Sequence, residues 1–395
     1  MPILSGPAPY WRLSSYYFFY FATLGAVVPY WGLYLQYRGF DAVEIGELMA
    51  IVAATKIVAP YIWGWIADHS GRGLLLIRYS ALAAVVSFSG VYIAGSLGSM
   101  AFVMLLFSFF WNANLPQFEA TTLRFLGDES NRYSHIRLWG SIGFIVLVLS
   151  LGPLLDFSGM RVLPHCLLLL YAGIWLATMG VPDIDRMNRH TKPGTSILIT
   201  LKQRPVIIAL TAGALMQFSF GAYYGFFSIF LEQHGYNKAE VGVLWALGAA
   251  AEIFVFLTMH RLLPKFGARL LLCFAFATTL LRWWIVGMFV ELAGVVAFAQ
   301  ILHAFGFGMF HATMIHLIHR YFPPAHTGRG QALYSSLSFG AGGALGTFIS
   351  GFILEYSNGR AVFVCAGIVA LSGLLVSWFG LPKDRSVQDA ASTAG

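Results

Sequence analysis

A chain of 395 residues that is 58% hydrophobic and only 10% charged, with 34 Phe and 11 Trp and a mean hydropathy of +0.72, is too apolar to form two or three soluble domains. It reads as an integral membrane protein. Its net charge of +7 needs no nucleic-acid partner, because the basic residues sort by topology.

Apolar runs of about 20 residues, each able to cross a ~30 Å hydrocarbon core as a helix, recur from end to end. Twelve spans are predicted, at 12–36, 42–66, 74–95, 99–124, 136–156, 162–181, 205–232, 240–262, 268–288, 294–320, 330–354 and 360–381. Barrel strands would instead show ~10-residue segments of alternating polarity, so an all-α bundle is expected. With both termini cytoplasmic, the inner side receives 17 Lys and Arg and the outer side only Arg38, Arg161, Lys238 and Arg360. The remaining three, Lys56, Arg137 and Arg282, fall inside or at the edge of spans. No basic stretch with a cleavage site precedes the first span, which is read as an uncleaved anchor. Cys166, Cys273 and Cys365 lie in apolar segments without CxxC spacing and read as packing residues, with no metal site indicated.

The second span ends in GWIADHSGRG, residues 64–73. Gly64 permits close helix approach, Asp68 can cap and pair across the cytoplasmic end, and Gly71 turns the chain. With Arg72, these residues resemble the loop signature of the major facilitator superfamily, which implies a fold and a gating loop and nothing about cargo. Spans 4 and 5 then carry NANLPQFEA and RLWGSIGF. Pro116 can kink the helix, Glu119 lies too deep to reach water freely, and Arg137 opens the next span. An ionisable group at a helix centre costs ~2.5–3.5 kcal/mol on insertion scales, so it needs a partner or a water-filled cavity. Glu119 and Arg137 suit one another if spans 4 and 5 pack side by side.

The longest polar interruption, Pro182 to Arg204, contains Pro193 and Gly194 and divides the spans six and six. The expected organisation is a six-helix bundle over 1–190, a cytoplasmic linker over 191–204 and a second six-helix bundle over 205–395. Sliding the halves over one another aligns RGFDAVEIGELMAIVAATK with HGYNKAEVGVLWALGAAAE, without a gap, at an offset of 196. Gly39 meets Gly235, Gly46 meets Gly242, Gly71 meets Gly267, and Lys56 falls on Glu252. In the second half His260, Pro264 and Gly267 keep three places of the loop signature. Two halves in parallel repeat, with polar residues at matched depth, is the arrangement of carriers that alternate access by rocking about a midplane site.

Span 7 sets Gln217, Tyr224 and Ser228 on one helical stripe that can line a pathway, with Tyr223 and Phe226 read as packing. Span 8 holds Glu252 in GAAAEIFVF, with no residue within four positions to take its charge. Span 9 holds Arg282. Span 10 continues as HAFGFGMFHATMIHLIHRYF, where His303 and His311 lie about 80° apart on an α-helix, so they can share a cavity and not a tight ligand site. His316 and His319 are expected to snorkel near the interface. GAGGALG at 340–346 reads as a close helix contact or flexing point.

RLWGSIGF, GAYYGF (221–226), GVLWALGAAAE (242–252), LLRWWI (280–285) and QILHAFG (300–306) together resemble the 3-phenylpropionate transporter family, relatives of lactose permease within the major facilitator superfamily. Carried over residue by residue, the resemblance implies a sugar-binding acid and arginine at Glu119 and Arg137. It also implies the span 8 acid at Glu252, the span 9 arginine at Arg282 and the span 10 histidine at His303. One place departs: where that permease carries its proton-accepting carboxylate, one turn beyond the histidine, this chain has Gly306. Proton symport is therefore implied by the family and not by that residue. Glu252 is the first choice for the proton, tuned by the approach of Arg282 or Lys56, and His303 is the second. A permanent Glu252–Arg282 latch is the plainer alternative.

Within the spans, Lys56, Arg137 and Arg282 against Glu119 and Glu252 leave +1, which suits a monoanion. The expected function is uptake of a small aromatic carboxylate such as 3-phenylpropionate with a proton, by alternating access. Substrate binding is expected at Lys56, Glu119, Arg137, Gln217 and Tyr224, proton coupling at Glu252, Arg282 and His303, and gating at Gly64, Asp68, Gly71 and Arg72. The alternative is a proton-coupled sugar or nucleoside symporter. An enzyme would need a nucleophile, acid and base at one depth, or a metal cluster, and a sensor would carry a large soluble tail; neither pattern is found. No cofactor or metal is expected. The partners are a small molecule, a proton and the bilayer, the chain acting as a monomer. The resemblance implies a multi-pass protein of the bacterial inner (plasma) membrane.

Overall fold

The computed structural model describes residues 9–183, 197–323 and 326–383, apart from the side chains at 128, 130 and 131. Pro193, Gly194 and the linker up to residue 196 lie outside the described residues, as do Arg186, Arg189, Lys192 and Arg385, four of the 17 basic residues counted on the inner side. Those described form helices and no strand: α1 Tyr10–Tyr37, α2 Ala42–Ser70, α3 Gly73–Ser89, α4 Leu97–Leu126, α5 Tyr133–Ser158, α6 Leu163–Gly180, the short α7 Ile197–Leu201 and α8 Arg204–Gln233. Then come α9 Lys238–Met288, α10 Ala293–His303, α11 Phe310–Tyr321, α12 Thr327–Ser335, α13 Gly343–Tyr356 and α14 Gly359–Gly380. Two π-helical stretches, Ala304–Met309 and Ser336–Gly342, join α10 to α11 and α12 to α13, so each pair acts as one spanning rod.

Among the described residues ten helical rods are long and apolar enough to cross a bilayer. One of them, α9, breaks at Gly267 (φ 76°) into two arms, each of ~30 Å or more. The α2 helix is as long but carries Glu44, Glu47, Lys56 and Asp68, which dilute its hydropathy. Counting both arms and α2 reproduces the twelve predicted spans, with boundaries within a few residues.

The repeat is written into the backbone. Gly39 and Gly235 take φ of 89° and 87°, and Gly71 and Gly267 take 62° and 76°, values open to glycine and strained for other residues. Asp41 and Glu44 form a capping box at the start of α2. Asn237 and Glu240, 196 residues on, exchange the same two hydrogen bonds, at 2.9 and 2.8 Å.

The chain resolves into two compact units, 1–190 with 235–246, and 191–234 with 247–395. In the first, α1 packs on α5 and α6, α4 packs on α2 and α3, and α3 meets α6. In the second, α8 is the hub, touching α11, α13 and α14. These hubs, α1 and α8, are the most buried of the spans. Small residues allow the contacts: a β-carbon at Gly143 would strike the Phe18 carbonyl, and one at Gly346 the Phe218 carbonyl. The GAGGALG run is thus a close helix contact against α8.

Candidate functional site

In the first unit the polar centre lies where α4 and α5 face α1. Glu119 accepts a hydrogen bond from the Tyr133 hydroxyl at 3.1 Å, and Arg137 Nε stands 3.9 Å from the same carboxylate oxygen. The Arg137 guanidinium lies over the Phe21 ring, 3.7 Å from its centre, with Tyr17 5.7 Å away. Gly140, one turn along α5, makes the room: a β-carbon there would collide with Phe21 and with Arg137 Nη1. The pair expected from the sequence is therefore present, loosely bonded and about one third exposed. Around it Tyr16 stacks on Phe118 at 3.5 Å, and Tyr20 meets Trp111 at 5.5 Å.

On α2, Lys56 is partly buried, and no ion pair or side-chain hydrogen bond reaches it from the described residues. Its neighbour Thr55 is held in a chain with Ser108 (3.0 Å) and Asn112 (2.8 Å) of α4. At the gating loop, Gly71 caps α2 with its N–H on the Ala67 carbonyl. Gly64 faces Gln117 of α4. Asp68 and Arg72 are exposed, and neither side chain pairs with a described residue.

The second unit holds the denser centre. Arg282 is fully buried. Its Nε donates to the Ala299 carbonyl at 3.2 Å and its Nη2 to Gln300 Oε1 at 3.1 Å. The Tyr223 hydroxyl donates to that same oxygen at 3.0 Å. The guanidinium lies 4.1 Å from the Tyr223 ring centre, 4.2 Å from Trp283 and 5.6 Å from Phe220. Trp283 is itself fixed by an N–H bond to Ser219, which donates onward to the Ala366 carbonyl. Buried N–H groups are left over: Arg282 Nη1, Gln300 Nε2 and Gln217 Nε2 have no hydrogen-bond partner among the described residues. Each such donor costs ~1–3 kcal/mol when left bare, so the cluster favours an acceptor-bearing guest.

Glu252 lies beside this cluster, its Oε1 3.4 Å from His303 Nε2. The charge of Arg282 acts on both members of that pair. Glycines bring the elements together: a β-carbon at Gly248 would stand 3.3 Å from His303 Cδ2, and one at Gly308 3.2 Å from Glu252 Cγ. Gly306 has no room for a side chain toward α9, because a β-carbon would strike the Thr279 hydroxyl. The missing carboxylate is thus matched by packing that fills its place.

The structure brings Glu119 to Arg137, Glu252 to His303, and Arg282 close to both members of the latter pair. Gln217 is buried in the hub helix, and Tyr224, partly exposed, lies against Phe220 and Tyr223. Sequence reasoning missed Gln300, Tyr223 and Trp283, although all three stand in the quoted motifs, and it missed Tyr133. It also assumed an α-helical path from His303 to His311. The π stretch between them has wider turns, and it stacks His303 on Phe307 and Phe307 on His311, with rings parallel within 6°.

Among the described residues no cluster of His, Cys, Asp or Glu could hold a metal ion.

Comparison with known proteins agrees with this architecture. The family model described as the MFS_1 like family matches residues 10–365. A probable 3-phenylpropionic acid transporter of Escherichia coli strain K12 is 27% identical, covering 92% of this chain and 96% of its own. A maltose permease of Geobacillus stearothermophilus is also 27% identical, covering 94% of each chain. Among solved structures, a mutant form of the nucleoside transporter NupG superposes with a TM-score of 0.81 at 18% identity, covering 93% of this chain and 98% of that one. A bacterial homologue of the lysosomal transporter Spinster gives 0.72 at 12% identity, covering 95% and 98%. The chain belongs to the MFS_1 like family: it is a multi-pass membrane transporter of the major facilitator superfamily, and not an enzyme.

Proposed function

We propose that this transporter carries a small aromatic carboxylate, of the 3-phenylpropionate kind, together with a proton by alternating access. The observation that carries the reading is Arg282. Among the described residues it is a fully buried cation hydrogen-bonded only to neutral oxygens, walled by three aromatic rings and left with a spare donor. A carboxylate satisfies the donor and the charge, and an aromatic body continues the ring wall. Lys56, in the first unit, has no ion-pair partner among the described residues and is itself a candidate to meet an anionic cargo. Glu119 and Arg137, already paired, with Gln217 and Tyr224, complete the set assigned to cargo binding.

Proton coupling is assigned to the Glu252–His303 pair, with Arg282 as the link. An anion at Arg282 and a proton on the pair each lower the cost of the other, and that coupling is reciprocal by thermodynamic linkage. The basic-residue asymmetry supports an orientation with both termini inside, and the bacterial relatives support residence in a bacterial plasma membrane.

Stoichiometry tests the reading. One proton moving with one monoanion carries no net charge, so membrane potential, worth ~2.3 kcal/mol per charge per 100 mV, does not drive uptake. Proteoliposomes should accumulate 3-phenylpropionate under a pH gradient and not under a potassium diffusion potential at equal pH. The second reading, a neutral sugar or nucleoside with a proton, rests on the Glu119–Arg137 pair and on the maltose and nucleoside relatives. Such transport would be electrogenic, and potential-driven uptake would select it.

A further inference from the structure

Arg282 and Tyr223 converge on a single oxygen, Gln300 Oε1, at 3.1 and 3.0 Å. The atom facing them must be the amide oxygen, since arginine only donates. Both donors belong to buried groups, and Gln300 is itself fully buried. The arrangement satisfies its members only halfway. An amide has one acceptor oxygen, so Arg282 Nη1 is left without a partner among the described residues, and the amide nitrogen, which can only donate, is stranded beside a cation. A carboxylate in place of the amide would have two oxygens: one for Nη2 and the tyrosine hydroxyl, the other for Nη1, in the two-pronged geometry that arginine favours.

We infer that Gln300 is a built-in stand-in for the cargo's carboxylate, holding Arg282 and Tyr223 when no cargo is bound and yielding them to an acid. This rests on the aromatic-carboxylate reading of the same cluster. Gln300 thereby sets specificity. A carboxylate replaces the arginine-to-amide bond, which is charged on the donor side only, by an ion pair charged on both sides, and its second oxygen takes up Nη1. A hydroxyl offers the cluster no such gain, so a neutral analogue does not displace the amide. The Nε bond to the Ala299 carbonyl is independent of Gln300 and holds the guanidinium in place during the exchange. Gly248 packs on the flank of Gln300, where a β-carbon would stand at ordinary contact distance, 3.5 Å, from Oε1.

The test uses the full chain purified in detergent, with equilibrium binding of labelled 3-phenylpropionate and of its neutral isostere 3-phenylpropanol. In Gln300→Glu a fixed carboxylate occupies the cargo's place, and acid affinity should fall by about tenfold or more relative to the alcohol. In Gln300→Ala the competitor is gone, and acid affinity should rise relative to the alcohol. Acid and alcohol shifting alike in both variants, or no change in Gln300→Glu, would overturn the inference while leaving wild-type acid binding, and so the proposed function, intact. If Gln300→Glu does not fold, as judged by its melting curve, the Gln300→Ala arm decides. A folded wild type that binds no aromatic acid overturns both.

Discussion

Replacing Arg282 with lysine keeps the charge and removes the shape. The guanidinium presents Nε to the Ala299 carbonyl, Nη2 to Gln300, and an Nη1 with no partner among the described residues, while standing against the rings of Tyr223 and Trp283 at 4.1 and 4.2 Å. A lysine ammonium offers its three N–H donors from a single nitrogen and lacks the planar fork that spans the Ala299 carbonyl and both oxygens of a carboxylate. Losing one charge-assisted hydrogen bond removes ~1.5–3 kcal/mol, and weakening the guanidinium's contacts with the two rings removes a further ~0.5–1 kcal/mol. At 1.4 kcal/mol per factor of ten, Arg282→Lys should bind 3-phenylpropionate on the order of 10²-fold more weakly. Equilibrium binding to the purified protein measures this, with the melting temperature as the folding check. A variant that folds and stays within about threefold of wild type would show that charge alone suffices, and the forked geometry argued here would be wrong.

Lys56→Gln should separate cargo binding from stability: it relieves the ~2.5–3.5 kcal/mol of an unpaired cation in a membrane helix. The melting temperature should therefore not fall, while acid affinity does. Gly346→Leu should do the reverse of a neutral change, since its β-carbon meets the Phe218 carbonyl on the hub helix. Overpacking of ~1–3 kcal/mol should lower the melting temperature, and an unchanged melt would refute the contact. Glu291, in the turn before α10, bonds Arg360 at 2.6 Å. Its own backbone N–H, then Arg360, hold its carboxyl below the ordinary value. A depressed folded value means the contribution is present above the unfolded-state value and is lost as pH falls through the folded one. Melting profiles of wild type and Glu291→Gln should accordingly differ at neutral pH and converge on the acid side of the ordinary carboxylate range.

The repeat was legible in detail. An ungapped alignment at one offset anticipates matched positive-φ glycines and matched capping pairs, because turns and caps are local chemistry. Span positions were legible for the same reason: hydropathy is summed along the chain. The Glu119–Arg137 pair was legible because the short connection between their spans keeps the two residues near one another, even though α4 packs mainly on α2 and α3 and α5 on α1. What was hidden depends on contacts across the fold. Tyr223 reads as one more aromatic in GAYYGF until Gln300, 77 residues on, meets its hydroxyl. The π stretch at 304–309 leaves no periodic signature, since glycines and phenylalanines fit either helix, so the ring ladder from His303 to His311 could not be drawn. Glu252 and Lys56 share a depth by repeat, yet one is paired with a histidine and the other with no described residue. Symmetry of position did not carry symmetry of environment.

The most direct test is uptake of labelled 3-phenylpropionate into proteoliposomes under an imposed inward pH gradient, comparing wild type, Glu252→Gln and protein-free vesicles. The account predicts gradient-driven accumulation above the protein-free background for wild type. It predicts loss of that accumulation in Glu252→Gln, with exchange of internal for external cargo retained. Accumulation that persists in Glu252→Gln, or a folded wild type that takes up no more than empty vesicles, would contradict it.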